Sequence, residues 1–304
     1  MSELQEKVKK SIERLQAFCP PEGYYLAFSG GKDSVVCKAL LDMSGCKYDA
    51  TYRVTSVDPP ELVRFIKRQH PDVKREVPRD SNGKAVTMWN LIPRKLIPPT
   101  RLVRYCCQAL KESGGDGRFT VTGVRWAESV NRKRNQGLVT FPDKKTYKIE
   151  KLDENRNFIV TNRGGVVLVN DNDESRKLVE SCYKRHKTTL QPIIDWTDMD
   201  VWEFINAYKI PVCSLYSDGF KRIGCIGCPM ASKKEKEHEF IMWPKYKNAY
   251  LTAFGKMLEE RRRRNRPTEW GNPTDVYNWW IGYDVLPGQI NLFEEEEADE
   301  WDDA

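Results

Sequence analysis

The sequence predicts an α/β fold: a doubly wound, mainly parallel sheet with a small β insertion and a helical C-terminal extension. Two observations carry this. A short apolar strand, Tyr24 to Phe28, runs through Ser29-Gly30-Gly31-Lys32-Asp33 into a helix from about Ser34 to Met43. A second strand, Tyr48 to Val57, and a second helix, Glu61 to Gln69, then repeat the alternation, as parallel sheets require.

The remaining elements follow in order. Leu4, Val8, Ile12 and Leu15 recur at helical spacing, so the chain opens with an amphipathic helix. Phe119 to Thr122 and Thr189 to Pro192 read as later strands, and Met199 to Tyr208 as a later helix. Residues 138 to about 187 break the alternation: Thr146 to Ile149, Phe158 to Thr161 and Val166 to Val169 alternate with charged and Gly-Gly turns, as a β insertion does. Tyr246, Tyr250, Phe254 and Met257 form a packing stripe at helical spacing. The expected organisation is a domain over 1–230 holding the glycine loop, the four clustered cysteines and the insertion, a helical region over 231–293, and an acidic, disordered tail over 294–304.

Composition describes an ordinary folded protein of 304 residues, with 39% hydrophobic and 31% charged residues. The first ten residues are polar and no apolar run is long enough to span a bilayer, so the expected location is cytoplasmic, with no membrane partner. In that compartment nine cysteines are thiols or metal ligands rather than a disulfide framework. The net charge is +6, but Glu294 to Asp303 holds eight acidic and no basic residues, which leaves +14 on residues 1–293. A body so basic suits a polyanionic partner, whether nucleotide or nucleic acid.

In Ser29-Gly30-Gly31-Lys32-Asp33-Ser34, placement between strand and helix matters more than the string. Glycines let successive N–H groups turn toward one point, and a helix N-terminus adds partial positive charge there. Ser29 and Ser34 offer hydroxyls, Lys32 offsets phosphate charge, and Asp33 is a carboxylate for Mg2+. The loop is neither a Walker A sequence nor the Gly-x-Gly-x-x-Gly dinucleotide fingerprint.

Cys106 and Cys107 are adjacent, and Cys225-Ile226-Gly227-Cys228 is a Cys-x-x-Cys turn far along the chain. Two such pairs supply four thiolates to one centre. A tetrahedral zinc site, with His238 as a substitute ligand, is the plain alternative. Neighbouring ligands suit the separated irons of a [4Fe-4S] cluster better than a single ion. Cys19, Cys37, Cys46, Cys182 and Cys213 are isolated in sequence and read as small packing residues.

Three further segments carry a family resemblance: Val57-Asp58-Pro59-Pro60-Glu61; Thr122-Gly123-Val124-Arg125-Trp126-Ala127-Glu128-Ser129; and Pro192 to Trp202 followed by Leu215-Tyr216 and Gly219 to Cys228. With the glycine loop and the cysteine pairs, they cover roughly residues 23–230, and their order resembles the phosphoadenosine-phosphosulfate reductase family of PP-loop proteins. The resemblance implies a Rossmann-like PP-loop fold. It also implies adenine-nucleotide binding on Ser29 to Ser34, Asp58, Gly123, Arg125 and Glu128, and a [4Fe-4S] cluster on Cys106, Cys107, Cys225 and Cys228. Reductases of that family use a further cysteine in a C-terminal tail, whereas no cysteine follows Cys228 here. The loop also has the form seen in relatives that use whole ATP. The chain is therefore similar to the iron–sulfur ATP-pyrophosphatase branch, whose best-known type is the sulfur-incorporating component of DNA phosphorothioation systems.

The mechanism this implies places ATP on residues 29–34 with Mg2+ near Asp33 or Asp58, while Lys32, Asp33 and Arg125 serve the attack on the α-phosphate. An acceptor oxygen is adenylylated and a sulfur donor, such as a cysteine desulfurase supplies, displaces AMP. The cluster relays sulfur or electrons, or pins two segments. Arg125, Arg132, Lys133 and Arg134, with Arg261 to Arg264, leave nucleic acid open as the acceptor, and tryptophans such as Trp270, Trp279 and Trp280 offer stacking faces. The rival readings are a sulfonucleotide reductase borrowing a partner's thiol and a non-catalytic, cluster-bearing nucleotide sensor.

Overall fold

The computed structural model describes residues 2–112, 114–115, 117–141, 158–161, 163–180 and 188–283. Two compact units divide the chain: Met1–Ala85 with Ala109–Gly224, and Val86–Gln108 with Cys225–Ala304.

The first unit is built on one sheet. Its strands are β1 (Tyr24–Ala27), β2 (Tyr48–Arg53), β3 (Lys74–Glu76), β4 (Thr120–Val121), β5 (Val139–Thr140), β6 (Phe158–Val160), β7 (Gly165–Leu168) and β8 (Thr189–Leu190). Their spatial order is β3-β2-β1-β4-β8-β5-β7-β6. The first five in that order are parallel, with Tyr24 opposite Tyr48, Thr51 opposite Lys74, Tyr25 opposite Thr120, and Thr120 opposite Thr189. Leu26 in β1 and Val36, Leu40 and Leu41 in the helix Lys32–Ser44 are fully buried.

The predicted elements are present with shifted ends, each for a local reason. The helix after the glycine loop starts at Lys32, because Gly31 caps it, and stops at Gly45, whose φ of 71° leaves the helical region. β2 ends at Arg53 rather than at Val57, because Ser56 adopts φ 67° and the chain folds over so that Asp58 accepts the Thr55 amide at 3.0 Å. Strands β5, β7 and β6 extend the main sheet, antiparallel from β8 outward. The interval read as β also contains a helix, Asp173–Glu180. The predicted strand Thr146 to Ile149 lies outside the described residues, as do Cys182 and the acidic tail.

The opening helix, Glu3–Ala17, buries Leu4, Val8 and Leu15 and carries a clamp of polar contacts. Arg14 is 4% exposed and donates to both oxygens of Asp195 at 2.8 Å, to Asp171 at 2.7 Å and to the Pro192 carbonyl at 2.7 Å. Ser11 donates to the same carbonyl and accepts from Trp196, while Lys7 pairs with Asp200 at 2.7 Å. This helix therefore fixes the segment 192–200, which leads into the helix Asp198–Ala207.

The second unit is helical: Met88–Lys95, Lys233–Met242, Pro244–Arg263 and Pro273–Ile281. Tyr250, Phe254 and Met257 are fully buried, as the stripe predicts, and Tyr250 meets Trp89, Phe240 and Trp280. Trp280 donates to the Pro99 carbonyl at 2.8 Å and Arg261 to that of Leu96 at 2.7 Å, so residues 86–108 belong with the C-terminal helices. Sequence order hides that union, since more than a hundred intervening residues build the first unit. Among the described residues no helix is long and apolar enough to cross a membrane.

Burial alone would raise the pKa values of Asp171 and Asp195, but Arg14, joined by Arg176 at Asp171 and by Lys10 at Asp195, more than offsets it and holds both below the usual carboxylate range. A depressed folded-state pKa contributes stability above the unfolded value, about 3.9, that is lost as pH falls through the folded one. Arg14→Ala should cost about 3 kcal/mol near neutral pH by taking from Asp195 its bidentate partner and from Asp171 one of two arginines. It should also flatten the loss of stability below about pH 4, as read by urea unfolding across pH. An unchanged acid limb would show that the clamp contributes little.

Candidate functional site

The strand order reverses between β1 and β4, which makes the crevice outside their carboxyl ends the switch point of the sheet, where ligands bind in open α/β folds. The glycine loop leaves β1 there. Gly30 has φ 76°, and a Cβ on it would stand 2.8 Å from Leu62 and Ile66, so only glycine fits. At Gly31 a Cβ would meet Ser29 Oγ and Tyr216 Oη at 3.5 Å, an ordinary contact. Ser34 Oγ donates to the Gly31 carbonyl at 2.8 Å and accepts from the Ser29 hydroxyl at 3.2 Å, so the two serines brace the loop against itself.

The helix Lys32–Ser44 begins inside the loop, so its first amides have no intrahelical acceptor. The Lys32 amide donates to Tyr216 Oη at 2.8 Å. Burial pushes the Tyr216 hydroxyl pKa well up, keeping it a neutral group beside the loop. Its ring stands edge-on against Trp202, with centroids 5.1 Å apart.

Arg125 lies at the centre of the site. It is 1% exposed, its Nε donates to Asp33 at 2.6 Å, and its terminal nitrogens donate to the Trp196 carbonyl at 3.2 Å and to Asp198 at 2.8 Å. Lys32 is also buried, with its Nζ 3.3 Å from the same Asp198 oxygen and 3.6 Å from Asp33. Two cations and two carboxylates thus neutralise one another. Burial would raise the Asp198 pKa, but Arg125 and then Lys32 hold it lowered. Gly123 packs against the Asp33 backbone, where a Cβ would come within 2.9 Å.

Other predicted residues have local tasks. Glu128 accepts the Arg125 amide at 3.1 Å and pairs with Arg132, closing the turn Trp126–Glu128. Asp58 is buried and takes the Tyr52 hydroxyl as well as the Thr55 amide. Arg125 is not part of a basic surface, contrary to its grouping with Arg132, Lys133 and Arg134, because its guanidinium is enclosed by the pairs described above. Arg261 is used within the second unit, and Arg263 and Arg264 pair with Glu260. Trp270 and Trp280 are buried packing residues. Asp198 and Tyr216 had no assigned role from sequence. Each lies in a segment that carries the family resemblance, but neither belongs to a periodic pattern or a metal-ligand spacing.

Beside the loop, a cavity of about 290 Å³ opens at the strand ends. Its walls include Phe28 and Ser29 after β1, Tyr52 near the end of β2 and Asp58 beyond it, and Thr122 after β4. Apolar walls with a few hydroxyl and carboxylate groups suit a small heteroaromatic ligand.

The four cysteines belong to the second unit. Cys106 interacts with Cys107 and Cys225; hydrogen bonding with Cys107, then burial, then those neighbouring thiols push its pKa well up. Cys225, Cys106 and Cys228 all lie near Tyr250. The Cys225–Cys228 turn is pinned at its middle: Tyr250 donates to the Ile226 carbonyl at 2.9 Å, and the Gly227 amide donates to Glu239 at 2.7 Å. Gly227 has φ 69°, and a Cβ there would strike Trp280 and Phe240 within 2.9 Å. Among the described residues no three His, Cys, Asp or Glu side chains group as they would around one metal ion, and His238 is exposed on its helix. Cys19 and Cys46, isolated in sequence, are neighbours in space; Cys46 donates to the Leu15 carbonyl at 3.4 Å, and burial and then Cys46 push the Cys19 thiol up to about 12.

The sequence profile of the phosphoadenosine phosphosulfate reductase domain matches residues 23–231. An uncharacterized protein of Methanocaldococcus jannaschii is 24% identical over 274 residues, covering 86% of this chain and 54% of that protein. A second from the same organism is 24% identical over 259 residues, covering 80% and 42% respectively. The chain thus spans about half the length of these relatives. An adenosine 5′-phosphosulfate reductase of Burkholderia cepacia is 35% identical over 52 residues, 17% of this chain and 21% of that one. Among solved structures, the U34-tRNA thiolase of Methanococcus maripaludis with its [4Fe-4S] cluster aligns at TM-score 0.37 and 11% identity, over 87% of this chain and 82% of that one. Likeness at that level carries no weight for fold or function.

Two neighbouring glycines should respond differently to the same change. Gly30→Ala should destabilise by at least about 2 kcal/mol, because it combines left-handed backbone with a clash against Leu62 and Ile66. Gly31→Ala should stay within about 1 kcal/mol of wild type. Equal unfolding midpoints in urea would mean that the loop does not need this backbone.

Proposed function

The chain belongs to the phosphoadenosine phosphosulfate reductase domain family, and from that premise we propose that it binds ATP and splits it between the α- and β-phosphates to activate an acceptor for sulfur transfer. The observation that carries this reading is the glycine loop at the sheet's switch point, with a buried lysine beside it and a nucleoside-sized cavity next to it. The adenosine would occupy that cavity. The phosphates would lie along residues 29–34, where the helix N-terminus and Lys32 offset their charge.

In the reaction we propose, an acceptor oxygen attacks the α-phosphorus, the bond to the bridging oxygen breaks, and pyrophosphate leaves with that electron pair. The acceptor's proton passes to solvent. A sulfur nucleophile from a donor such as a cysteine desulfurase product then displaces AMP. Lys32 and, behind it, Arg125 stabilise the charge that builds on the leaving oxygens. Asp33 and Asp58 offer the hard oxygen ligands that Mg2+ takes. Lys133 and Arg134 are exposed, which supports nucleic acid as the acceptor class.

The cysteine group fits a multinuclear cluster by its chemistry. Four thiols sit in one unit, Cys106 lies against Cys107 and Cys225, and soft thiolates are the ligands that iron–sulfur clusters use. Cys106, Cys107, Cys225 and Cys228 would hold a [4Fe-4S] cluster. When bound, it supplies an electron reservoir or an iron site for sulfur.

Two measurements test this. ATP should bind more tightly than AMP, and Lys32→Ala should remove most of the difference; equal affinities in the wild type would favour a sulfonucleotide site. With a nucleic-acid acceptor and a sulfur donor, the products should be AMP and pyrophosphate. Sulfite formed from an adenylyl sulfate with a partner thiol would favour the reductase reading, and no product at all a nucleotide sensor. Separately, protein purified without oxygen should carry about four irons per chain. Serine at any of the four positions should abolish that iron, while Cys46→Ser should retain it; stoichiometric zinc instead would overturn the cluster.

A further inference from the structure

Among the described residues, the two buried cations beside the loop and the first amide of its helix have partners in the structure. The Lys32 amide is taken by Tyr216, while Lys32 Nζ and one Arg125 nitrogen share a single oxygen of Asp198. The two cations are enclosed, with side chains 8% and 1% exposed. Their two counter-ions differ. Asp33 is 23% exposed and takes the Arg125 Nε, whereas Asp198 is 64% exposed and stands on the solvent side. An anion approaching from solvent meets Asp198 first.

The backbone around Asp198 is fixed. Arg14 holds Pro192 and Asp195, Ser11 bonds Trp196, and Thr197 and Asp200 cap the helix for each other, with Lys7 on Asp200. The first residue of a helix so anchored can change only its side-chain rotamer. Charge balance then sets the energetics. With both carboxylates present the group is neutral; once Asp198 turns away, one positive charge on enclosed side chains faces the loop, and charge-assisted bonds to it are strong.

We propose that Asp198 is an exchangeable internal counter-ion, a positioning residue that holds Lys32 and Arg125 when no anion competes for them and yields them to the phosphates of the ligand. This rests on the nucleotide reading above. It goes beyond that reading in assigning to Asp198 a competition with the ligand, so that the carboxylate lowers anion affinity while keeping the cations in place.

The test is calorimetric titration with inorganic pyrophosphate and with ATP, each in EDTA and again with Mg2+, on wild type, Asp198→Asn and Asp198→Ala. Thermal melting checks that each variant is folded. Without Mg2+, both variants should bind pyrophosphate about tenfold more tightly than wild type, as removal of one competing charge-assisted contact implies. The gain should vanish when Lys32→Ala is combined with Asp198→Asn. Mere structural damage would not tighten binding. Unchanged or weaker binding by folded variants, while the wild type binds normally, overturns the counter-ion role alone. A loss confined to Mg2+ also overturns it, because Asp198 would then face the metal. If neither wild type nor variants bind pyrophosphate or ATP, the nucleotide reading fails and the proposal falls with it.

Discussion

The guanidinium of Arg125 joins three loops that leave three neighbouring parallel strands. It bonds Asp33 after β1, sits itself after β4, and reaches the Trp196 carbonyl and Asp198 after β8. A planar group with five N–H donors is suited to such a junction, because it can satisfy several acceptors in fixed directions while fully buried. The loop's Gly30 turn, the approach of Gly123 to Asp33 and the placement of Lys32 all depend on those loops staying in register. Arg125 is therefore a junction of the site as well as a charge beside the glycine loop, enclosed by its partners rather than presented on a basic surface.

The opening helix supports that junction from outside the matched family domain, which begins at residue 23. Its Arg14 and Lys7 hold the segment on either side of Asp198, so the stability of the site and the stability of the first unit are linked through the same few ion pairs. Tyr216 adds a contact from a segment still further along the chain. The site is thus assembled from segments after residues 28, 122, 192 and 214, all held at one end of the sheet.

Much of this was legible in the sequence where the signal is local. The strand, glycine turn and helix were readable because backbone conformation at Gly30 and the apolar alternation are written in adjacent residues. The stripe Tyr250, Phe254, Met257 and the two cysteine pairs were readable for the same reason. What escaped was long-range. Asp198 and Tyr216 matter through partners more than 180 residues away in one case and about 70 to 170 in the other. Nor does any local pattern reveal that residues 86–108 pack with helices beyond residue 225, or that the inserted strands β5, β7 and β6 continue the main sheet. The burial of Arg125 was missed because a basic residue beside basic neighbours reads as surface until its carboxylate partners are known.

At the far end of the sheet lies β3, three residues long and composed of lysine, arginine and glutamate, with the first two exposed. An outer strand offers unpaired backbone groups to any other chain, and parallel sheets form slowly because their contacts join distant segments. A short, highly charged margin gives a passing copy little ladder to join and a desolvation cost for trying. Short, charged outer strands of this kind are how sheets limit edge-to-edge pairing. The last of the three residues has a second task, because Glu76 pairs at 2.9 Å with Arg53, a wall of the cavity at the strand ends, so the sheet margin and the crevice are tied by one ion pair.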